Sequence, residues 1–110
     1  MSDAADLCEV IITAPDGEWL AAFTRSLIEQ RLAAAGHHQP IRSVYTWQGT
    51  IHDTTETRVA LHTRTALVDR IIEQANSRHP FEVPGLVAVP LVAASPAYAQ
   101  WVRDSTRDPE

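Results

Sequence analysis

The strongest constraint on the fold is a pair of large aromatic residues that stand two positions apart in the segment 43–51, just before a glycine. In an extended strand, Tyr45 and Trp47 share one face, and Gln48 with Gly49 suits the reversal of a β-hairpin. From residue 57 to residue 64 apolar and polar positions alternate, which predicts a returning strand with one buried face. The sequence therefore predicts an antiparallel hairpin that carries two aromatic rings on one face.

A second informative segment is the proline-rich stretch 79–84, which follows the hairpin after one helix length. Pro80 and Pro84 fix their own φ angles and push the residues before them, His79 and Val83, toward extended geometry. Such a loop has few conformations to lose when it binds something. It presents an imidazole and the ring of Phe81, so we interpret the loop and the hairpin as two walls of a binding site or an interface.

One strand and one helix precede the hairpin. The apolar run 7–13 predicts a first strand, and Asp16 is placed to cap a helix whose apolar residues recur at helical spacing. We expect this helix to end at Gly36, because glycine is favoured just beyond helix C-termini. The polar stretch 37–40 is interpreted as a loop that leads into the first strand of the hairpin.

A helix, a strand and a short helix follow the hairpin. Thr65 is a candidate N-cap for a helix that stops before His79. The apolar stretch 86–92 predicts a strand, and Pro90 marks it as an edge strand or a bulge. Pro96 suits the first position of a final helix. The order of elements describes an α+β fold, a ferredoxin-like βαββαβ sandwich with an extended hairpin and a short C-terminal helix.

Length and charge narrow the possible functions. At 110 residues we expect one domain, 1–110, with frayed tails at 1–6 and 104–110. The net charge is -5, and all nine basic residues are arginines. Without lysine the chain has neither a phosphate-binding P-loop lysine nor a Schiff-base lysine. The acidic balance argues against a nucleic-acid partner.

Other features indicate the location and argue against catalysis. The single cysteine, Cys8, cannot form an internal disulfide, and no apolar stretch approaches the length that spans a bilayer. The first residues lack the positive charge of a signal peptide. We therefore expect a cytoplasmic protein with no membrane partner. No serine or cysteine lies in a nucleophile-elbow context, so we expect no enzyme and no required cofactor.

Taken together, several segments resemble the CutA family of divalent-cation tolerance proteins over nearly the whole chain. The resemblance rests on the order and spacing of Thr13-Ala14-Pro15-Asp16, Arg31-Leu32-Ala33-Ala34, the segment 43–51, Glu56, Thr63 and the segment 79–84. It implies a homotrimer of ferredoxin-like subunits, similar in architecture to the PII signalling proteins, whose hairpins reach across subunits. It also implies an association with metal tolerance and copper binding.

The chain departs from the family pattern at several positions. Ala35 stands where the family often has cysteine, and His62 stands where it often has lysine. Phe81 replaces the usual tyrosine, and Gly85 replaces the usual glutamate. The missing thiol and the missing carboxylate are two potential metal ligands.

The sequence supports two functional hypotheses. In the first, a homotrimer binds Cu(II) or another divalent cation, with His79 and His62 as metal ligands, because neutral imidazole is the commonest metal ligand in proteins. In the second, a PII-like sensor binds a small metabolite in the cleft between subunits and signals to an unidentified protein partner. The residues expected at a ligand pocket or a subunit interface are Tyr45, Trp47, Glu56 and Phe81.

Each candidate residue also has a structural alternative. The two hairpin aromatics are expected to pack in an interface more readily than to line a pocket. His79 can brace the end of a helix, and Glu56 can pair with an arginine of a neighbouring subunit. His37 and His38 can form a metal pair or lie in a solvated loop, and adjacent strand residues point in different directions.

Overall fold

The computed structural model describes residues 4–109. Its elements are β1 (Leu7–Ala14), α1 (Gly17–Glu29), β2 (Ala35–Trp47), β3 (Thr50–Arg64), α2 (Val68–Arg78), β4 (Gly85–Pro90) and α3 (Pro96–Ser105), with a 3₁₀ turn at Thr65–Leu67. The four strands form one sheet in the order β2-β3-β1-β4, and every neighbouring pair is antiparallel. The α+β, ferredoxin-like prediction is confirmed.

One face of the sheet is covered by α1 and α2. Alternate residues of β1, including Val10 and Ile12, pack with Leu61 of β3 against Phe23 of α1 and Ile71 of α2. Phe23 is only 1% exposed and is the largest fully buried side chain among the described residues. Burying each such side chain contributes roughly 1.5–3 kcal/mol relative to exposure. This face therefore supplies most of the folding free energy of a single chain.

The opposite face of the sheet, which we call the open face, is covered only at one end. There α3 buries Leu7 against Ala99 and Val102. Beyond α3, Val87 and Val89 of β4 lie beside β1 and remain 56% and 40% exposed. An antiparallel sheet can leave one face in water, and on this sheet the exposed face carries these two apolar side chains.

The hairpin has the predicted turn. Gln48 and Gly49 both adopt positive φ angles, 51° and 79°, as a two-residue type I′ turn requires. The turn fixes the register, so that Tyr45 pairs with His52 and Trp47 with Thr50. Opposed residues of an antiparallel pair share a face. Both aromatic side chains therefore lie on the same side of the hairpin, as predicted.

The prediction that Gly36 ends the first helix is wrong. Helix α1 ends at Glu29, and Arg31 takes the left-handed conformation with a φ of 59°. The Arg31 N–H donates to Ile28 and the next N–H donates to Leu27, the paired bonds of a Schellman motif. Gly36 lies in β2 instead, where an added Cβ would lie 2.5 Å from the Thr24 methyl carbon. The glycine allows close packing of β2 on α1.

The loop expected at 37–40 is also wrong, because these residues belong to β2. Their polarity reflects the position of β2 at the edge of the sheet, where the side chains from His37 to Pro40 are exposed. An edge strand tolerates Pro40, which has no N–H to donate. At the other edge, Pro90 ends β4, as its sequence position suggested.

The two ends of α2 differ in how well they agree with the prediction. Thr65 starts the 3₁₀ turn, and neither that turn nor α2 has a side-chain N-cap bond, so the expected Thr65 cap is absent from this part of the structure. The C-terminal end is as predicted, since α2 stops at Arg78 and His79 is extended. Pro80 favours that extended geometry.

The tails expected to fray are held in place within the described residues. Asp6 accepts two hydrogen bonds from the Arg103 guanidinium at 2.9 Å. The backbone N–H of Arg107 donates to Arg31 at 2.8 Å, and Thr106 is buried. These contacts join Asp6 to α3 and Arg107 to the turn that follows α1. The expected tail residues 1–3 and 110 lie outside the described residues. No helix within 4–109 has the length and apolar character needed to cross a membrane.

Candidate functional site

The hairpin and the loop 79–84 meet in one cleft. It consists of two adjoining cavities of about 410 and 560 Å³ that share Tyr45, Trp47, Phe81 and Val83 as walls. The Tyr45 ring stacks on His52 with centroids 5.2 Å apart and an angle of 12° between the planes. We call this space the aromatic cleft. It is formed within one chain, because the hairpin register and the stiff loop place their rings on facing walls.

Glu56 lies at the base of the larger cavity. It pairs with Ile41 across the hairpin and is only 6% exposed. No hydrogen bond or ion pair to its carboxylate is formed by any residue between 4 and 109. The structure therefore brings together the four residues that the sequence assigned to a pocket or an interface. Tyr45, Trp47 and Phe81 supply aromatic walls, and Glu56 supplies a largely buried carboxyl group.

His79 has a different role from the expected metal ligand. Its Nδ1 accepts a hydrogen bond from the Phe81 N–H at 2.9 Å. Its Nε2 therefore carries the proton and donates to the Thr13 carbonyl at 2.8 Å. The ring also packs edge-on against Trp19 and is 8% exposed. Since neither nitrogen offers a free lone pair, His79 fixes the loop and does not ligate a metal in this arrangement.

His62 lies on the open face, in a chain of side-chain hydrogen bonds. Its Nε2 is 2.9 Å from Glu9 Oε2, and its Nδ1 contacts the Tyr98 hydroxyl of α3. The His37 ring lies beside it, with centroids 5.3 Å apart. Burial, and secondarily the Glu9 charge, raise the pKa of Tyr98, so its hydroxyl stays protonated. His62 thus holds α3 on the sheet and links it to Glu9.

The two histidines expected at one metal site are not neighbours. His62 is paired with Glu9 in the sheet, whereas His79 bonds to Thr13, four residues further along β1. At about 3.3 Å per residue that is a separation of roughly 13 Å along the strand. The ring of His79 also packs against α1 on the covered side, away from the open face.

One described chain does not form a metal centre by itself. Within 4–109 no group of three or more histidine, cysteine, aspartate or glutamate side chains could hold an ion. Cys8 is buried in the core, and burial raises the pKa of its thiol, which disfavours the metal-binding thiolate. His37 and His38 are adjacent in β2 and point to opposite faces, so they make no pair. Partial loss of hydration, with a smaller effect of His37, lowers the pKa of His38.

Sequence reasoning missed three residues of these sites. Glu9 and Tyr98 bond to His62, and His52 stacks on Tyr45. Glu9 had a signal, since it is a charged residue inside an apolar strand. The other two contacts depend on strand register and on where α3 crosses the sheet, which no local pattern encodes.

The comparisons with known families, sequences and structures agree with one another. The family model described as CutA1 divalent ion tolerance protein matches residues 8–105. The divalent-cation tolerance protein CutA of Thermus thermophilus is 33% identical over 98 residues, which cover 88% of this chain and 95% of that protein. The structure of CutA from Synechococcus elongatus superimposes with a TM-score of 0.88 at 30% identity, covering 94% of this chain and 92% of that one.

A chloroplastic CutA protein of Arabidopsis thaliana is 32% identical over 100 residues, or 90% of this chain. The match covers 55% of the plant protein, so the chain spans about half the length of that relative.

Proposed function

The chain belongs to the CutA1 divalent ion tolerance family, and from this premise we propose that it is a non-catalytic homotrimer that binds divalent metal ions, Cu(II) among them, in response to those ions. The observation that carries the proposal is the open face, where an uncovered apolar surface lies beside the imidazole–carboxylate pair of His62 and Glu9. The proposed location is the cytoplasm, although the Arabidopsis relative is named as chloroplastic.

Assembly is supported by the contrast between the two faces of the sheet. Helices α1 and α2 bury the centre of one face, whereas Val87 and Val89 stay in water on the other. Covering apolar surface contributes about 25 cal/mol per Å², so a second and a third copy gain stability by packing there. Three copies are proposed because the family resemblance implies a trimer.

Metal binding is supported by the donors on the same face. An imidazole nitrogen and a carboxylate oxygen are both ligands for divalent copper and zinc. His62 and Glu9 meet at 2.9 Å, and the His37 ring lies next to them. Both nitrogens of His62 are hydrogen-bonded, to Glu9 and to the Tyr98 hydroxyl, so a metal ion bound at His62 must displace one of these bonds. The remaining ligands would come from other copies across the open face. With Ala35 and Gly85 in place of a thiol and a carboxylate, the proposed donors of each chain are the imidazole of His62 and the carboxylate of Glu9.

A calorimetric titration with Cu(II) tests the metal site. We expect binding to the wild-type protein and at least about a tenfold loss of affinity in His62→Ala, because even the loss of an outer-shell partner of a metal ligand typically costs that much. His38→Ala is the matched control, because it removes an imidazole from the other face of β2. His79→Ala is expected to leave the affinity unchanged. No saturable Cu(II) binding, or equal losses in all three variants, would overturn the site.

A further inference from the structure

The Glu56 carboxylate is the charged group least explained by the fold. The residue is 94% buried in one chain, since only 6% is exposed, yet no residue within 4–109 pairs with its carboxylate. Removing a carboxylate from water without a partner is costly. Its oxygens are not sealed inside the protein, because in the described part of the chain only Thr24 Oγ1 is fully enclosed and unbonded. The carboxylate is therefore accessible from the aromatic cleft that it lines.

The walls of the cleft favour a cation. Tyr45, Trp47 and Phe81 present aromatic rings to the space above Glu56. The face of an aromatic ring carries negative electrostatic potential and attracts guanidinium and ammonium groups. A neutral apolar ligand would leave the carboxylate desolvated and unpaired, and an anion would be repelled by it.

The other charges at the cleft do not oppose this preference. Arg42 lines the larger cavity, but its guanidinium donates two hydrogen bonds to Asp53 at 2.7 and 2.8 Å, so its charge is balanced. Glu82 lines the smaller cavity and adds a second carboxylate. A bare metal ion is less favoured: His52 lines the smaller cavity, but no group of three or more histidine, cysteine, aspartate or glutamate side chains in the described residues could hold an ion.

We propose that the aromatic cleft binds a planar organic cation of the guanidinium or amidinium class, which donates hydrogen bonds to Glu56 and lies against the aromatic rings. Guanidinium groups match carboxylates with two parallel hydrogen bonds and stack on aromatic faces. The larger cavity, about 560 Å³, is within the range of small-molecule sites. This binding role goes beyond metal tolerance and gives a ligand chemistry to the small-molecule alternative.

The guanidinium or amidinium group that fills the cleft can belong to a free small molecule or to an arginine side chain of a second copy of the chain. Calorimetry with benzamidine, a planar aromatic amidinium, and with benzamide, its neutral isostere, tests the first source. Wild-type protein should bind benzamidine at least about tenfold more tightly than benzamide, and Glu56→Gln should remove that preference. Glu73→Gln, which removes an exposed carboxylate on α2, is the matched control and should keep it.

The second source predicts a different result. If an arginine of another copy already occupies the cleft, benzamidine does not bind, and Glu56→Gln shifts the association of the chains to at least about tenfold higher concentration in sedimentation. The proposal is overturned if benzamidine and benzamide bind alike, or not at all, while Glu56→Gln leaves association unchanged.

Two further measurements distinguish loss of the cleft ligand from a failure to fold and from a loss of metal binding. If Glu56→Gln fails to fold, Trp47→Leu tests the aromatic wall instead and should weaken benzamidine severalfold, as loss of a cation–π contact does. Unchanged benzamidine binding in Trp47→Leu counts against the proposal. Cu(II) affinity should be the same in Glu56→Gln and in wild type, because the proposed ligands His62 and Glu9 lie outside the cleft.

Discussion

The two faces of the sheet differ in what their side chains can do. On the face under α1 and α2, Val10, Ile12 and Leu61 are fully buried and make only apolar contacts with the helices. On the open face, apolar side chains alternate with carboxylates, imidazoles and aromatic rings, and much of that surface remains uncovered. One face therefore stabilises the chain, and the other is available for binding. Mutations on the two faces should separate stability from association and ligand binding.

The largest effect on stability is expected on the covered face. Leu61→Ala removes a fully buried side chain that packs between both helices, so it should lower the free energy of unfolding by about 2–5 kcal/mol. Urea denaturation followed by circular dichroism measures this change at fixed protein concentration. Ile41→Ala on the half-exposed hairpin is the comparison and should cost much less. Equal losses at both positions would remove the distinction between the faces.

A smaller loss of stability is expected where the loop 79–84 joins the covered face. His79→Ala leaves the Phe81 N–H and the Thr13 carbonyl without their imidazole partner, which should cost about 1–3 kcal/mol. It should also increase hydrogen exchange of the Phe81 amide, because that amide loses its acceptor. Exchange measured by NMR in His79→Ala and in His38→Ala provides the test. Unchanged protection in His79→Ala would show that the histidine does not hold the loop.

The smallest loss of stability is expected at the ion pair between Asp6 and Arg103, which holds the end of α3 in place. The Arg103 hydrogen bonds lower the pKa of Asp6 below the ordinary aspartate value of 3.8. The pair therefore stabilises the fold above pH 3.8, and that contribution is lost as the pH falls through the lowered, folded-state pKa. Because Asp6 is half-exposed, the pair should contribute less than about 1 kcal/mol.

Unfolding of wild type and Asp6→Asn at a series of pH values measures this contribution. The stability difference between the two proteins should be present at pH 6 and should shrink in strongly acidic solution. A difference that grows as the pH falls would contradict the assigned pairing.

Features set by local chemistry were predictable from sequence. The type I′ turn follows from Gln48-Gly49, and the end of α2 follows from the proline after His79. Gly36 was misread because glycine is used here for close packing between β2 and α1, a tertiary contact that resembles a helix stop in sequence. Polar residues at an exposed sheet edge likewise resemble a loop. The side chain that engages His62 depends on the register of β1 with β3.

The candidate site also combines features that the sequence predicts with features that depend on tertiary contacts. The sequence brought Tyr45, Trp47, Glu56 and Phe81 into consideration together, and the structure places them around one cleft. It could not reveal that His79 uses both ring nitrogens on backbone groups, because those bonds depend on β1 lying beside the loop. Residue type indicated possible chemistry, while only the three-dimensional arrangement showed which atoms remain available.

The proposed homotrimer requires that the open face is an interface between copies of the chain. Light scattering coupled to size exclusion should give wild type a mass of three times the 12.2 kDa chain. Val87→Asp should give a folded protein of single-chain mass, because it places a charge in the interface. Val92→Asp, at a residue that is 92% exposed beyond β4, should keep the trimer mass. A wild-type mass of 12.2 kDa, or a trimer that Val87→Asp leaves intact, would contradict the proposed assembly through the open face.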